Sequence, residues 1–153
     1  MSEAFYFDVP QSKDNPAEAS ELASIRRGVN KDYELDNPNS ARALKEAETD
    51  NLDVVFPAAN ELQIDIDSDH AYAIYQEMYP LIDKYYFVSQ VKETPSRSGG
   101  EKRHITVILG RDVSVYERIA LQIALGSDRV REYLSVVQAM QNDPHPTLFL
   151  EKK

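Results

Sequence analysis

At 153 residues the chain carries about one domain's worth of core, and the absence of cysteine excludes a disulfide scaffold and any thiolate zinc site. A net charge of −9 argues against a broad nucleic-acid-coating surface, which normally shows as a basic excess. The stretch MSEAFYFDVP has neither a basic nor an apolar leader region, and no run reaches the roughly 18 apolar residues of a membrane span, so a soluble, cytoplasmic protein is expected.

Residues 1–51 read as an acidic, partly mobile extension. They are rich in Asp, Asn, Glu, Ser and Ala and are broken by Pro10, Pro16 and Pro38. SELAS and NPNSARALKEAE can each make a short helix, the second with Ser40 as N-cap, and AFYFDV suits a strand or a docking peptide. From residue 52 the texture changes to that of an α+β domain spanning 52–153.

In ELQIDIDSDH, Leu62, Ile64 and Ile66 alternate with Asp65 and Asp67. Strand side chains two apart point the same way, so the two carboxylates lie side by side, roughly 6–7 Å apart at Cα. A helix is predicted from about Asp69, carrying Ala71, Tyr72, Ile74, Tyr75, Met78 and Tyr79 at helical spacing, with Ser68 as N-cap and Pro80 as a kink or stop. YYFVSQV, 85–91, reads as a second strand from its aromatic and β-branched content. KETPSRSGGEK is a loop, and RHITVIL, 103–109, a third strand.

Ser114 and Glu117 make a capping box for the next helix, which ends at Gly126. Ser127 begins a further helix whose apolar stripe is Val130, Leu134, Val137 and Met140, and TLFLE, 147–151, is the last strand. The order strand, helix, strand, strand, helix pair, strand is the split βαβ pattern of ferredoxin-like and RRM-like sheets, with helices on one face. In the 4-1-3-2 strand order of that fold the first strand lies between the third and the last. Asp65, Asp67, His104 and Glu151 then share the open face.

Carboxylates suit hard divalent cations, so Asp65, Asp67 and Glu151 are candidate ligands for Mg²⁺ or Mn²⁺. The same Asp-x-Asp pattern also serves simply to end a strand and cap the next helix. Ser96, Arg97, Ser98, Lys102, Arg103 and His104 supply the hydroxyls and cations that a triphosphate asks of a glycine-containing loop, and a solvated hairpin has the same composition. Tyr72, Tyr75 and Tyr79 read as core, Arg129 and Arg131 in LGSDRVRE as a solvated helix face, and His70 and His145 as surface or cap. His104-Ile105-Thr106 matches one element of the two-histidine phosphoesterases, but the second element that chemistry needs is missing.

Taken together, LQIDID, TPSRSGGEKRHITV and LFLE resemble the three motifs of the archaeo-eukaryotic primase (primase-polymerase) superfamily, in the same order, over residues 52–153. The resemblance, to a small phage-type member, implies that Asp65, Asp67 and Glu151 bind the catalytic divalent metals and that His104 contacts the incoming nucleotide's phosphates, with Ser96 and Ser98 beside it. Nucleoside triphosphate and single-stranded DNA are the implied ligands, and template-directed nucleotidyl transfer in phage DNA replication is the implied activity. The alternative expectation is a non-catalytic, acidic RRM-like protein that binds a replication or host-defence protein.

Overall fold

The computed structural model describes residues 38–96, 100–142 and 148–152. Over these described residues it is an α+β fold with two small antiparallel sheets and four helices. The chain runs α1 (Pro38–Asp50), β1 (Leu52–Val55), β2 (Glu61–Ile66), α2 (Asp69–Tyr86), β3 (Gln90–Pro95), β4 (Arg103–Ile108), α3 (Val115–Ala124), α4 (Arg129–Met140) and β5 (Phe149–Lys152).

The main sheet has the order β2-β4-β3, antiparallel throughout. Its register divides the side chains into two sets of cross-strand rows. Leu62, Val107 and Val91 form one row and Ile64, Ile105 and Glu93 the next, and this is the face that α2 and α3 cover. Leu62, Ile64, Ile66, Ile105, Val107 and Leu109 are fully buried there against Tyr75, Ile82 and Tyr86 of α2 and Leu121 and Leu125 of the α3 segment. Each such side chain contributes about 1.5–3 kcal/mol by leaving water. The opposite face carries Glu61, Ile108 and Gln90, then Gln63, Thr106 and Lys92, then Asp65, His104 and Thr94.

Helix α2 starts as its sequence predicts, the Ser68 hydroxyl accepting the Ala71 N–H at 3.1 Å. It does not stop at Pro80. It runs on to Tyr86, so the second strand predicted at 85–91 begins only at Gln90. Tertiary contacts outweigh the strand propensity of Tyr85 and Tyr86: Ile82 and Tyr86 complete the buried helical stripe begun by Tyr75, and the Tyr86 hydroxyl donates to Glu117 at 2.8 Å. Phe87, with φ of 52°, then turns the chain out of the helix.

The predicted capping box forms on its serine side, with the Ser114 hydroxyl accepting the Glu117 N–H at 3.1 Å. Asp128, not Ser127, caps α4 by accepting the Val130 N–H. The predicted apolar stripe of α4 faces outward: Val130, Leu134 and Met140 are 66%, 46% and 70% exposed, and the residues turned inward are Glu132, Ser135 and Ala139.

The reason is a buried polar network. The Glu132 carboxylate, fully buried, accepts from Gln122 Nε2 at 3.1 and 3.0 Å, Ser127 Oγ at 2.7 Å and Arg131 Nη1 at 2.5 Å. Once buried, a carboxylate must keep all these donors, and their positions set the rotation of the helix.

That network also occupies the outer edge of β2. Gln63 N–H donates to Gln122 Oε1, Arg131 Nη1 to the Gln63 carbonyl, Asp65 N–H to Ser127 Oγ and Asp128 N–H to the Asp65 carbonyl, all within 2.8–3.0 Å. The edge where the expected 4-1-3-2 order would put the last strand is therefore filled by the α3–α4 turn. The last strand, expected at 147–151, is described over Phe149–Lys152, residue 147 lying outside the described residues, and it pairs instead with β1, from Leu52 opposite Lys152 to Val55 opposite Phe149. Helix α1, which begins at Pro38 ahead of Ser40, packs Ala43, Leu44 and Ala47 on Leu52, Val54 and Phe56, with Leu148 and Leu150 beside them.

Candidate functional site

Asp65 and His104 are direct partners in the antiparallel register of β2 and β4, so the first and second sequence motifs meet with no offset. Their side chains are 24% and 17% exposed, with His104 Nε2 3.6 Å from Asp65 Oδ1. Burial pushes the Asp65 carboxyl above the usual carboxylate range; His104 pulls it down and Asp67 pushes it up again.

This face is not open. Phe149 of β5 lies flat on the His104 imidazole, ring centroids 4.2 Å apart and planes 9° from parallel, and the Arg131 guanidinium sits 4.9 Å from the same Phe149 ring. Alternation along β5 turns Phe149 and Glu151 to the same side, and Glu151 Oε2 meets Lys92 Nζ at 3.1 Å. A hollow of ≈ 320 Å³ lies among Glu46, Asp65, His104, Arg131 and Phe149, and another of ≈ 400 Å³ among Lys92, Thr94, Ser96, His104, Glu151 and Lys152.

The other predicted site residues divide by face. Lys102 lies near Asp67, Nζ to Oδ1 3.7 Å, both half exposed. Arg103 points the opposite way from His104: it pairs with Glu93 at 2.6 Å and stacks 3.9 Å from the centroid of the Tyr72 ring on α2. Adjacent residues on a strand cannot share a face, which separates Arg103 from the phosphate-binding set expected of it. The Ser96 N–H donates to the Lys102 carbonyl, closing the β3–β4 hairpin. Arg97 and Ser98 lie outside the described residues.

Magnesium or manganese takes one or two protein carboxylates and fills its shell with water and ligand phosphate. Asp65 and Asp67 fit that demand: they are close enough for Asp67 to raise the Asp65 carboxyl, and Asp67 is solvent-accessible. Glu151 is held at Lys92. Among the described residues no three of His, Asp or Glu converge on one ion. Of the expected set, Asp65 and Asp67 lie near each other, while the Glu151 carboxylate is paired with Lys92.

Sequence reasoning missed Lys92, Arg131 and Phe149 as parts of this face. Lys92 and Thr94 fall into line with His104 once β3 is placed at 90–95, four to five residues later than its aromatic content suggests. Arg131 gave a signal in LGSDRVRE, but a solvated helix carries the same residues. The chain matches no family model, no curated protein and no solved structure. No helix among the described residues is long and apolar enough to cross a membrane.

Proposed function

We propose that the protein is a nucleotide-binding, primase-polymerase-like module of phage DNA replication. It takes a nucleoside triphosphate with Mg²⁺ or Mn²⁺ at Asp65, Asp67 and His104, with single-stranded DNA as the further ligand for nucleotidyl transfer. The observation that carries this reading is the register: the Asp-x-Asp strand and the histidine strand are hydrogen-bonded neighbours, and Asp65 stands opposite His104.

Support for an RRM-like split βαβ sheet comes from the β2-β4-β3 order and from helices on its apolar face, with the α3–α4 turn standing where the fourth strand would lie. In this reading Asp65 and Asp67 hold the ion, whose chemistry is to neutralise charge on the attacking oxygen and the leaving pyrophosphate. His104 is held by the Phe149 ring with its Nε2 toward Asp65, where it would donate to a phosphate oxygen of the nucleotide. Phe149 and the β1–β5 ribbon exclude water from one side of the site, where charge–charge interactions strengthen.

Calorimetric titration of ATP with Mg²⁺ or Mn²⁺ tests the proposal. Binding should require the metal and disappear in the Asp65→Ala/Asp67→Ala variant. A folded wild-type protein that binds neither metal–nucleotide would sink the reading.

One observation favours a second reading, a non-catalytic protein that binds a replication or host-defence partner. Val130, Tyr133, Leu134 and Met140 expose an apolar stripe along α4. Co-purification of a partner with the wild type, lost in Tyr133→Ala while metal–nucleotide binding is absent, would decide for it.

A further inference from the structure

The hollow beside His104 is lined by Lys92, Thr94, Ser96, His104, Glu151 and Lys152. Two ammonium groups, two hydroxyls and an imidazole surround a space of ≈ 400 Å³, enough for a phosphate chain and its first waters. Among the described residues Glu151 is the one acid in this lining, and its Oε2 is 3.1 Å from Lys92 Nζ. Lys92 belongs to the cross-strand row next to Asp65, His104 and Thr94, on the same side of the sheet. The cationic hollow therefore shares His104 with the neighbouring hollow that Asp65 lines.

Glu151 arrives from outside this sheet. It sits on β5, which among the described residues pairs with β1 alone. Its carboxylate meets the Lys92 ammonium at the wall of a hollow that Thr94, Ser96, His104 and Lys152 also line. The pair is partly exposed, the side chains retaining 40% and 22% of their surface, so water screens it and exchanging it for a more highly charged anion costs little.

We infer that this hollow is a polyphosphate seat centred on Lys92, with Lys152, Thr94 and Ser96 as its further donors, and that Glu151 is a built-in competitor which the ligand's phosphate displaces. The identity of the ligand as a nucleotide rests on the function proposed above; the seat itself does not. This gives Glu151 the opposite sign from a metal ligand. A ligand to the ion strengthens nucleotide binding, whereas a competitor weakens it.

Titrating inorganic tripolyphosphate, with chelator and no metal, into the wild type, Glu151→Gln and Lys92→Ala separates the two. Glu151→Gln should bind about two- to five-fold more tightly than the wild type, the range set by a partly exposed ion pair. Lys92→Ala should bind about ten-fold or more weakly, as expected when a charged hydrogen-bond donor is removed.

Weaker or undetectable binding by Glu151→Gln, or unchanged binding by Lys92→Ala, with thermal melts showing both variants folded, overturns the inference. The same variants titrated with Mg²⁺–ATP keep the two claims apart. If Glu151→Gln loses Mg²⁺–ATP binding as Asp65→Ala/Asp67→Ala does, Glu151 is a metal ligand; the competitor is refuted and the nucleotide site stands. If tripolyphosphate behaves as expected but Mg²⁺–ATP does not bind the wild type, the seat stands and the nucleotide reading falls.

Discussion

Asp65 Oδ1 lies 3.6 Å from His104 Nε2, across a strand pair in which the two residues are register partners. The contact is too long for a hydrogen bond and close enough for charge to matter, so it leaves the carboxylate under-compensated for its burial.

A pH-dependent stability cost follows. The Asp65 carboxyl is raised in the folded state, chiefly by burial. Below the unfolded value near 3.8 it is protonated in both states and has no effect; as pH rises through the folded value, the native state must ionise a buried group and stability falls. Asp65→Asn should therefore melt higher than the wild type at pH 7, with the gain shrinking as pH falls toward about 4. A lower melting temperature at pH 7 would mean that attraction to His104 and Arg131 outweighs desolvation.

Glu132 is a fully buried charge that several donors share. Alanine at this position leaves the Arg131 guanidinium, 11% exposed, without its carboxylate and removes the acceptor for Ser127 and Gln122. Loss of one partner from a buried pair costs about 3–5 kcal/mol, which urea denaturation would register as a lower midpoint. Asp65 and Gln63 depend on the same network for their edge hydrogen bonds, so nucleotide binding should weaken with it. A cost under 1 kcal/mol would show that the edge of β2 is held by other means.

The orientation of α4 can be checked by paired substitutions. Leu134→Ser changes an exposed position and should stay within about 0.5 kcal/mol of the wild type. Leu121→Ala empties a core site and should cost about 2–5 kcal/mol. If Leu134→Ser proved the costlier change, α4 would bury the stripe that its sequence suggests.

Gly126 cannot be replaced without strain. Its φ is +86°, and an added Cβ would stand 2.6 Å from the Ala71 carbonyl oxygen on α2. Gly126→Ala should lose more than about 1 kcal/mol in denaturant titration, the backbone penalty alone accounting for that much. A neutral outcome would mean that the α3–α4 turn moves away from α2 at no cost.

Arg103 offers a contrast with Lys92. Because it is held by Glu93 and Tyr72 on the α2 side, Arg103→Ala should leave ATP binding unchanged, and its solvent-screened ion pair should matter little to stability. An ATP affinity that collapsed in this variant would return Arg103 to the phosphate-binding set.

Much of this could be read from local pattern. Alternation in LQIDI named the helix-covered face of β2, Ser68 and Ser114 named two helix starts, and the apolar residues of RHITVIL named β4, because side-chain alternation and N-caps depend on neighbours within four residues, although Gln63 and Thr106 on the other face are buried as well. Opposite-facing polar residues were likewise legible, so Asp65 and His104 could be placed on one face. What the chain could not disclose locally was decided by partners distant in sequence. The Tyr86–Glu117 bond carries α2 past Pro80, and the Glu132 network turns the apolar side of α4 to solvent. Side chains from 122 to 131 fill the edge of β2 and send the last strand to β1. Each is a matter of satisfying buried polar groups, whose donors and acceptors are found only when the chain has closed on itself. That closure places Phe149 on His104 and Glu151 on Lys92, so a face that is simply polar in the sequence becomes a lined and partly covered site in the fold.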